Sequence, residues 1–160
     1  MLNSLTADVL EALGPASGPF LILTVGNSFR SDDGVGPYIA SCLRPVPVKV
    51  MDAGNTPENI VDEAIAFAPD KITVIDCADF GGTAGEVRVI PEELIPETTL
   101  STHMVPINVI TRLIGSSIKT SIVFIGIQPE AVTLGEGLSP EVRQAADEII
   151  GIIKRNFAHP

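Results

Sequence analysis

The amino-acid sequence predicts an α/β protein, a three-layer α/β/α sandwich built on a mostly parallel five-stranded sheet. Apolar runs of strand length alternate along the chain with segments whose apolar residues repeat at the helical period. The strand-length runs are rich in Ile and Val and contain few polar residues, which is typical of strands covered by helices on both faces. The strand–helix–strand order then favours parallel neighbours in the sheet.

Five segments are expected to form the strands. Residues 86–90 alternate polar and apolar side chains, which predicts an edge strand with one solvated face, and we expect this strand to be antiparallel. The other strands are predicted at residues 20–25, 48–52, 71–76 and 121–127.

Helices are predicted between these strands and at both ends of the chain. The helix at residues 57–67 has Thr56 as its expected N-cap and Pro57 at its first position, and Ser139 opens the last helix in the same way. The last helix carries one apolar stripe, and two further helices are predicted at residues 35–43 and 106–114. Residues 1–17 are interpreted as an added N-terminal helix, packed on the body or on a partner, of a single domain that spans residues 1–160.

The composition limits the class of protein. The 160 residues are 45% apolar and 19% charged, which excludes intrinsic disorder. A net charge of −10 argues against nucleic-acid binding, and two Cys residues are too few for a disulfide framework or a cysteine-only zinc site. No apolar run approaches the roughly 18 residues of a membrane span, and no signal-peptide pattern is visible, so we expect a cytoplasmic monomer with reduced thiols and no membrane association.

Polar residues directly after the strands are the candidates for a functional site, because ligands bind beyond the carboxyl ends of parallel strands. The first strand leads into residues 26–36, where Asp32 and Asp33 precede a helix. One acid is enough to cap that helix, so the other is available for chemistry. The loop matches neither common glycine-rich phosphate motif, and its two acids would repel phosphate.

A second acid and one histidine are expected at the same edge of the sheet. The third strand ends at Asp76. Taken alone, Asp76 is best explained as a strand-end acid that is bonded to backbone N–H groups. Cys77 is best explained as a small residue at the edge of the core. His103, the only histidine before the C-terminal tail, precedes the helix at 106–114. Together with one of the two acids at 32 and 33, Asp76 and His103 form an Asp/Asp/His set that suits a borderline divalent metal and activation of water by a carboxylate.

The loop after the second strand, residues 52–57, allows two interpretations. Its Gly54 can let a substrate backbone approach closely. The same residue types also form ordinary turns, and they favour neither interpretation over the other.

Six segments follow one another along the chain in a recognisable order. They are GN at 26–27 with DDGVGP at 32–37, DAGNTPEN at 52–59, VIDCAD at 74–79, GEVR at 85–88, THMVP at 102–106 and GIQPE at 126–130. In these segments the chain resembles the NiFe-hydrogenase maturation endopeptidases, most of all the hydrogenase 3 type. The resemblance covers almost the whole chain from Leu21 onward.

The resemblance implies an aspartic-type endopeptidase that removes a short C-terminal extension from the precursor of a NiFe-hydrogenase large subunit after nickel insertion. It implies that Asp33, Asp76 and His103 contact the metal, that the nickel is supplied by the substrate precursor, and that Asp32 is the helix cap. We hypothesise that Asp33 and Asp76 hold the metal, that one of them polarises the attacking water, and that His103 is the third ligand.

Two other functions remain open at this point. The first is a non-catalytic nickel-binding chaperone or scaffold for the same large subunit, which would use the same ligands. The second is a different enzyme on this sheet, such as a phosphorylase or a nucleotide-binding hydrolase. That enzyme would need a basic phosphate pocket, and Arg30 is the only base in the first loop, where two acids oppose it.

Overall fold

One mixed five-stranded sheet forms the centre of the computed structural model, which describes residues 5–98, 100 and 105–158. The strands are β1 (Phe20–Thr24), β2 (Lys49–Asp52), β3 (Lys71–Cys77), β4 (Val87–Ile90) and β5 (Ser121–Ile127). Their order is β2-β1-β3-β5-β4, and every neighbouring pair is parallel except β4 with β5. The predicted mostly parallel sheet with one antiparallel edge strand is therefore confirmed.

Helices cover both faces of this sheet. They are α1 (Ala7–Ala12), α2 (Val35–Leu43), α3 (Val61–Phe67), α4 (Ile95–Thr98), α5 (Ile107–Ser117) and α6 (Pro140–Phe157). Successive side chains of a strand point to opposite faces, so Ile22 packs with α1, α2 and α6, whereas its neighbour Leu23 packs with α3, α4 and α5. Burial on both faces explains why the central strands β1 and β3 are largely apolar at consecutive positions.

The predicted helix positions are close to the observed ones, but the predicted caps are wrong in chemical detail. The segment 57–67 is a 3₁₀ turn (Pro57–Ile60) followed by α3, and α5 begins and ends slightly later than predicted. Thr56 and Ser139 occupy the two N-cap positions, yet neither side chain bonds to its helix. The Thr56 hydroxyl donates to the carbonyl of Ala53 at 3.5 Å, and the Ser139 hydroxyl donates to Asp32.

The N-terminal helix α1 packs against the body of the fold. The side chains of Val9 and Leu13 are completely buried on the α6 side of the sheet. The side chains of Thr73 and Lys71 donate hydrogen bonds of 2.6 to 3.0 Å to carbonyl oxygens at and just after the C-terminal end of α1, and these bonds tie the helix to β3. The interpretation of α1 as an addition to the domain stays a prediction.

The longest helix, α6, closes the fold. The four residues of its predicted apolar stripe are all buried: Val142, Ala146, Ile149 and Ile153. Within the part of the chain that the structure describes, no helix combines the length and the apolar character that crossing a membrane requires.

Candidate functional site

The structure brings the two acids that the sequence selected to one edge of the sheet. Asp76 is in the last part of β3, in register with Gly126 of β5, and Asp33 lies in the 3₁₀ turn Ser31–Gly34 that follows β1. Both residues are buried, with exposed fractions of 7% and 4%. Their carboxyl groups are close enough for the charge of Asp33 to act on Asp76.

The third predicted ligand, His103, lies outside the described residues. Among residues 5–98, 100 and 105–158, no group of three or more His, Cys, Asp or Glu side chains is arranged to hold a metal ion. The described part of the site therefore consists of two of the three predicted ligands.

Asp76 is a carboxyl group in surroundings that disfavour its charge. Burial raises its pKa well above the usual range, the nearby charge of Asp33 raises it further, and the hydrogen bond from the Cys77 N–H to its Oδ1, 2.8 Å long, opposes both effects. The small pocket beside it has mostly apolar walls, which include Ile90, Ile95, Ile107 and Phe124. These surroundings therefore favour the neutral form of Asp76 more than water does.

Cys77 follows Asp76 in β3 but packs on the α6 side of the sheet. Only 1% of the residue is exposed, and both its burial and the nearby acids, above all Asp76 and Asp33, raise the pKa of its thiol. A nucleophilic cysteine needs a lowered pKa. The interpretation of Cys77 as a small residue at the edge of the core is confirmed.

The position of Asp33 depends on two glycines. Gly26 has φ +148°, and a Cβ atom there would lie 2.1 Å from the carbonyl oxygen of Asp33. A Cβ atom on Gly36 would lie 2.2 Å from the carbonyl oxygen of Val25, so the first turn of α2 packs directly on the residue after β1. The backbone N–H of Asn27 completes the turn by pointing at both the carbonyl oxygen and the Oδ2 of Asp33, at 3.1 and 3.2 Å.

The loop after β2 is joined to this turn. The Oδ1 atom of Asp52 accepts hydrogen bonds from the Gly54 N–H and the Thr24 hydroxyl, at 3.0 and 3.1 Å, and the Gly54 carbonyl accepts one from the Gly26 N–H at 2.8 Å. Gly54 is left-handed, with φ +55°. These contacts support the turn interpretation, while the open space beside the Gly54 Cα leaves room for a second chain to approach.

The expectation that Asp32 caps the following helix is wrong. Its carboxylate accepts hydrogen bonds from the backbone N–H groups of Glu130, Ala131 and Ser139, at 2.8, 3.1 and 2.7 Å, and from the Ser139 hydroxyl. These donors belong to the loop between β5 and α6, and no side chain caps the start of α2. Tertiary folding places those N–H groups within reach of Asp32, so its carboxylate joins two distant loops.

Sequence reasoning missed the role of Gln128, a buried polar residue directly after β5. Its side-chain oxygen accepts hydrogen bonds from the N–H groups of Phe80 and Gly82, at 2.9 and 3.1 Å, and its Nε2 donates to Oδ1 of Asp79 at 3.0 Å. This last bond and one from the Gly81 N–H lower the pKa of Asp79. The sequence does show a polar amide directly after an apolar strand, which could have marked Gln128 as a residue with buried partners. The identity of those partners is visible only in the folded structure.

Comparison with known proteins shows which family this chain resembles. The family model described as "Hydrogenase maturation protease" matches residues 38–156. The hydrogenase 3 maturation protease of Escherichia coli K12 is 29% identical over 133 residues, which cover 81% of this chain and 85% of that protein. A putative hydrogenase maturation protease of Methanocaldococcus jannaschii is 32% identical over 147 residues, which cover 83% of this chain and 92% of the relative.

Solved structures of hydrogenase maturation proteases have folds similar to that of this chain. The crystal structure of a NiFe hydrogenase maturation protease, HycI from Thermococcus kodakarensis KOD1, has a TM-score of 0.80 and 28% identity, and the match covers 96% of this chain and all of that chain (100%). The solution structure of the endopeptidase HycI from Escherichia coli has a TM-score of 0.76 and 29% identity over 84% of this chain and 88% of that chain. The structural likeness therefore extends over most of the fold.

Proposed function

The chain belongs to the hydrogenase maturation protease family, and from this membership we propose that it removes a C-terminal extension from the precursor of a NiFe-hydrogenase large subunit after nickel insertion. The observation that carries the proposal is the pair of buried acids, Asp33 and Asp76, at the carboxyl edge of the sheet. Two carboxyl groups that are close enough to interact electrostatically are able to bind a cation and to polarise water.

Nickel enters this proposal as part of the substrate. Burial and the charge of Asp33 favour the protonated form of Asp76, because two ionised carboxylates in a site of low polarity repel each other. A divalent cation reverses that preference, since it attracts both carboxylates and allows Asp76 to release its proton. Precursor without nickel brings no such charge, so the acid pair discriminates between loaded and empty precursor.

The chemical step that we propose is aspartic-type hydrolysis of a peptide bond. One of the two carboxylates polarises the attacking water as a general base, and His103 is the third metal ligand. The hydrogen bonds from Asn27 to Asp33 and from Cys77 to Asp76 hold both carboxyl groups in fixed orientations, which supports their use as ligands.

The test is incubation of the purified protein with precursor in two forms, nickel-loaded and nickel-free, followed by mass measurement of the intact large subunit. We expect the loaded precursor to lose a C-terminal peptide and the nickel-free precursor to keep its full mass. Cleavage of both forms would overturn the proposed metal recognition. A stable complex with uncut, nickel-loaded precursor would instead support the non-catalytic chaperone or scaffold.

Replacement of His103 tests the third ligand. We expect His103→Gln to lower kcat/KM for nickel-loaded precursor about 100-fold, because it removes a neutral imidazole from the set of groups that contact the metal. The matched control is His159→Gln in the C-terminal tail, the only other histidine of the chain, which we expect to cleave at the wild-type rate. Equal rates for the two variants would remove His103 from the proposed ligand set.

A further inference from the structure

The two most exposed large apolar side chains of the described residues lie on loops at the carboxyl edge of the sheet. Leu134 is 89% exposed and Phe29 is 63% exposed. Phe29 belongs to the loop that contains Asp33, and Leu134 belongs to the loop between β5 and α6. Single exposed apolar residues are common on protein surfaces, but these two lie on loops that are hydrogen-bonded to each other.

Backbone hydrogen bonds fasten the two loops to each other. The Gly135 N–H donates to the carbonyl of Phe29 at 2.8 Å, and the Ser31 N–H donates to the carbonyl of Gly135 at 2.7 Å. The Ser31 hydroxyl donates to the Thr133 carbonyl at 2.7 Å. Ser31 is in the left-handed region with φ +51°, an unfavourable conformation for a residue other than glycine, which these bonds maintain. The exposure of Phe29 and Leu134 is therefore a feature of a fixed structure.

The same loop connects Phe29 to the candidate catalytic acid. The side-chain oxygen of Asn27 accepts a hydrogen bond from the Phe29 N–H at 2.9 Å, and the Asn27 N–H in turn points at Oδ2 of Asp33 at 3.2 Å. Asn27 is thus bonded through its side chain to the backbone of Phe29 and through its backbone N–H to the carboxylate of Asp33. Phe29 and Asp33 therefore belong to one hydrogen-bonded loop.

The charges around these residues indicate which kind of partner fits. Glu130 and Glu136, both exposed, lie on the loop that carries Leu134, while Arg30 is the single base of the Asp33 loop. Two copies of this chain that met through this surface would bring like charges together, in a protein whose net charge is already −10. A partner with an apolar pocket flanked by basic groups complements it.

We propose that Phe29 and Leu134 form a docking surface that binds the folded body of the large-subunit precursor, apart from the metal contacts at Asp33 and Asp76. This inference rests on the proposed function, because it takes the precursor as the partner. Two protruding side chains insert into pockets of a folded surface, whereas an extended peptide needs a groove. Docking supplies affinity, and the acid pair then tests the docked precursor for nickel.

The experiment measures binding and cleavage separately, for the variants Phe29→Ser, Leu134→Ser and the double variant. We expect each single change to weaken binding of nickel-loaded precursor about tenfold and the double change about 100-fold, by calorimetry with the Asp76→Asn substitution present to prevent cleavage. With Asp76 intact, the double variant should raise KM while kcat stays within about twofold of the wild-type value. Leu113→Ser is the matched control, since Leu113 is 50% exposed but lies on α5.

Three results would overturn this inference. The first is unchanged precursor affinity of the double variant, and the second is a loss of kcat without a change in KM. The third is a dimer of the wild-type chain that the double variant dissociates, since the surface would then bind a second copy. Failure of the proposed function is a separate result: wild-type protein would leave nickel-loaded precursor uncut, while the binding assay still reports whether Phe29 and Leu134 hold it.

Discussion

Asp76→Asn is expected to abolish precursor cleavage and, at the same time, to stabilise the fold at neutral pH. The amide cannot ionise, so it lacks the negative charge needed to hold nickel or to polarise water, and we expect the cleavage rate to fall about 1,000-fold. The Asn side chain keeps an oxygen that accepts the hydrogen bond from the Cys77 N–H. It also removes an acid whose ionised form is disfavoured by burial and by Asp33.

The stabilisation should depend on pH in a defined direction. The fold raises the pKa of Asp76 above its value in the unfolded chain. Below about pH 4 the carboxyl group is neutral in both states, and its full contribution to the free energy of unfolding of the wild-type protein is present. It loses that contribution as the pH rises through the folded pKa. The free energy of unfolding of Asp76→Asn should therefore match the wild-type value near pH 3.5 and exceed it increasingly above pH 4, by about 1.4 kcal/mol for each unit of pKa elevation.

Urea unfolding at a series of pH values measures this difference, and Asp79→Asn provides a control of opposite sign. The pKa of Asp79 is lowered by hydrogen bonds from Gln128 and the Gly81 N–H, so its contribution is present at neutral pH and is lost as the pH falls through the folded pKa. We expect Asp79→Asn to destabilise the protein at pH 7. A loss of stability at pH 7 in Asp76→Asn would contradict the burial argument, and retained cleavage would contradict the assigned role.

Asp32→Ala is expected to destabilise the fold by about 3 kcal/mol, although the residue lies in a loop. Its carboxylate is the acceptor for three backbone N–H groups and one hydroxyl of the β5–α6 loop. Alanine leaves these donors without their acceptor, and hydrogen bonds to a charged group are the more costly ones to lose. Cleavage should fall as well, because Asp33 is the next residue in the chain.

Ser139→Ala is the matched control for this prediction. It removes only the hydroxyl donor to Asp32 and leaves the bonds from the three N–H groups, so we expect a loss of about 1 kcal/mol. Chemical denaturation of both variants gives the comparison. A loss of less than 1 kcal/mol for Asp32→Ala would show that water replaces the carboxylate and that the two loops do not depend on it.

Much of the fold was predictable because burial leaves a periodic record in the sequence. The segment 35–43 was predicted to be helical and coincides with α2, and the polar–apolar alternation of residues 86–90 correctly indicated the edge strand β4. The 3₁₀ turn Glu92–Leu94 and the short helix α4 were missed. Each is at most four residues long and therefore too short to show a helical period.

The candidate site was predictable to a smaller extent. The rule that ligands bind at the carboxyl ends of strands selected Asp76 and the adjacent acids Asp32 and Asp33, and the family resemblance chose Asp33 from that pair; the fold brings Asp33 and Asp76 to that edge. The same reasoning could not show that Asp32 is not a helix cap. From the sequence alone, the N–H groups at the start of the following helix are the only donors that can be assigned to a carboxylate at this position. It also had no means of finding Gln128, whose partners at residues 80 and 82 are distant in the chain.

The sequence by itself determined the layered architecture, the edge strand and the family, because hydrophobic periodicity and short ordered segments are local properties of a chain. Only the tertiary structure decided what the individual polar groups do. It assigned Asp32 to the β5–α6 loop, gave Asp76 its raised pKa through burial beside Asp33, and exposed Phe29 and Leu134 on joined loops. The reason is physical: hydrogen-bond partners, desolvation and charge proximity depend on distances between segments that are far apart in sequence.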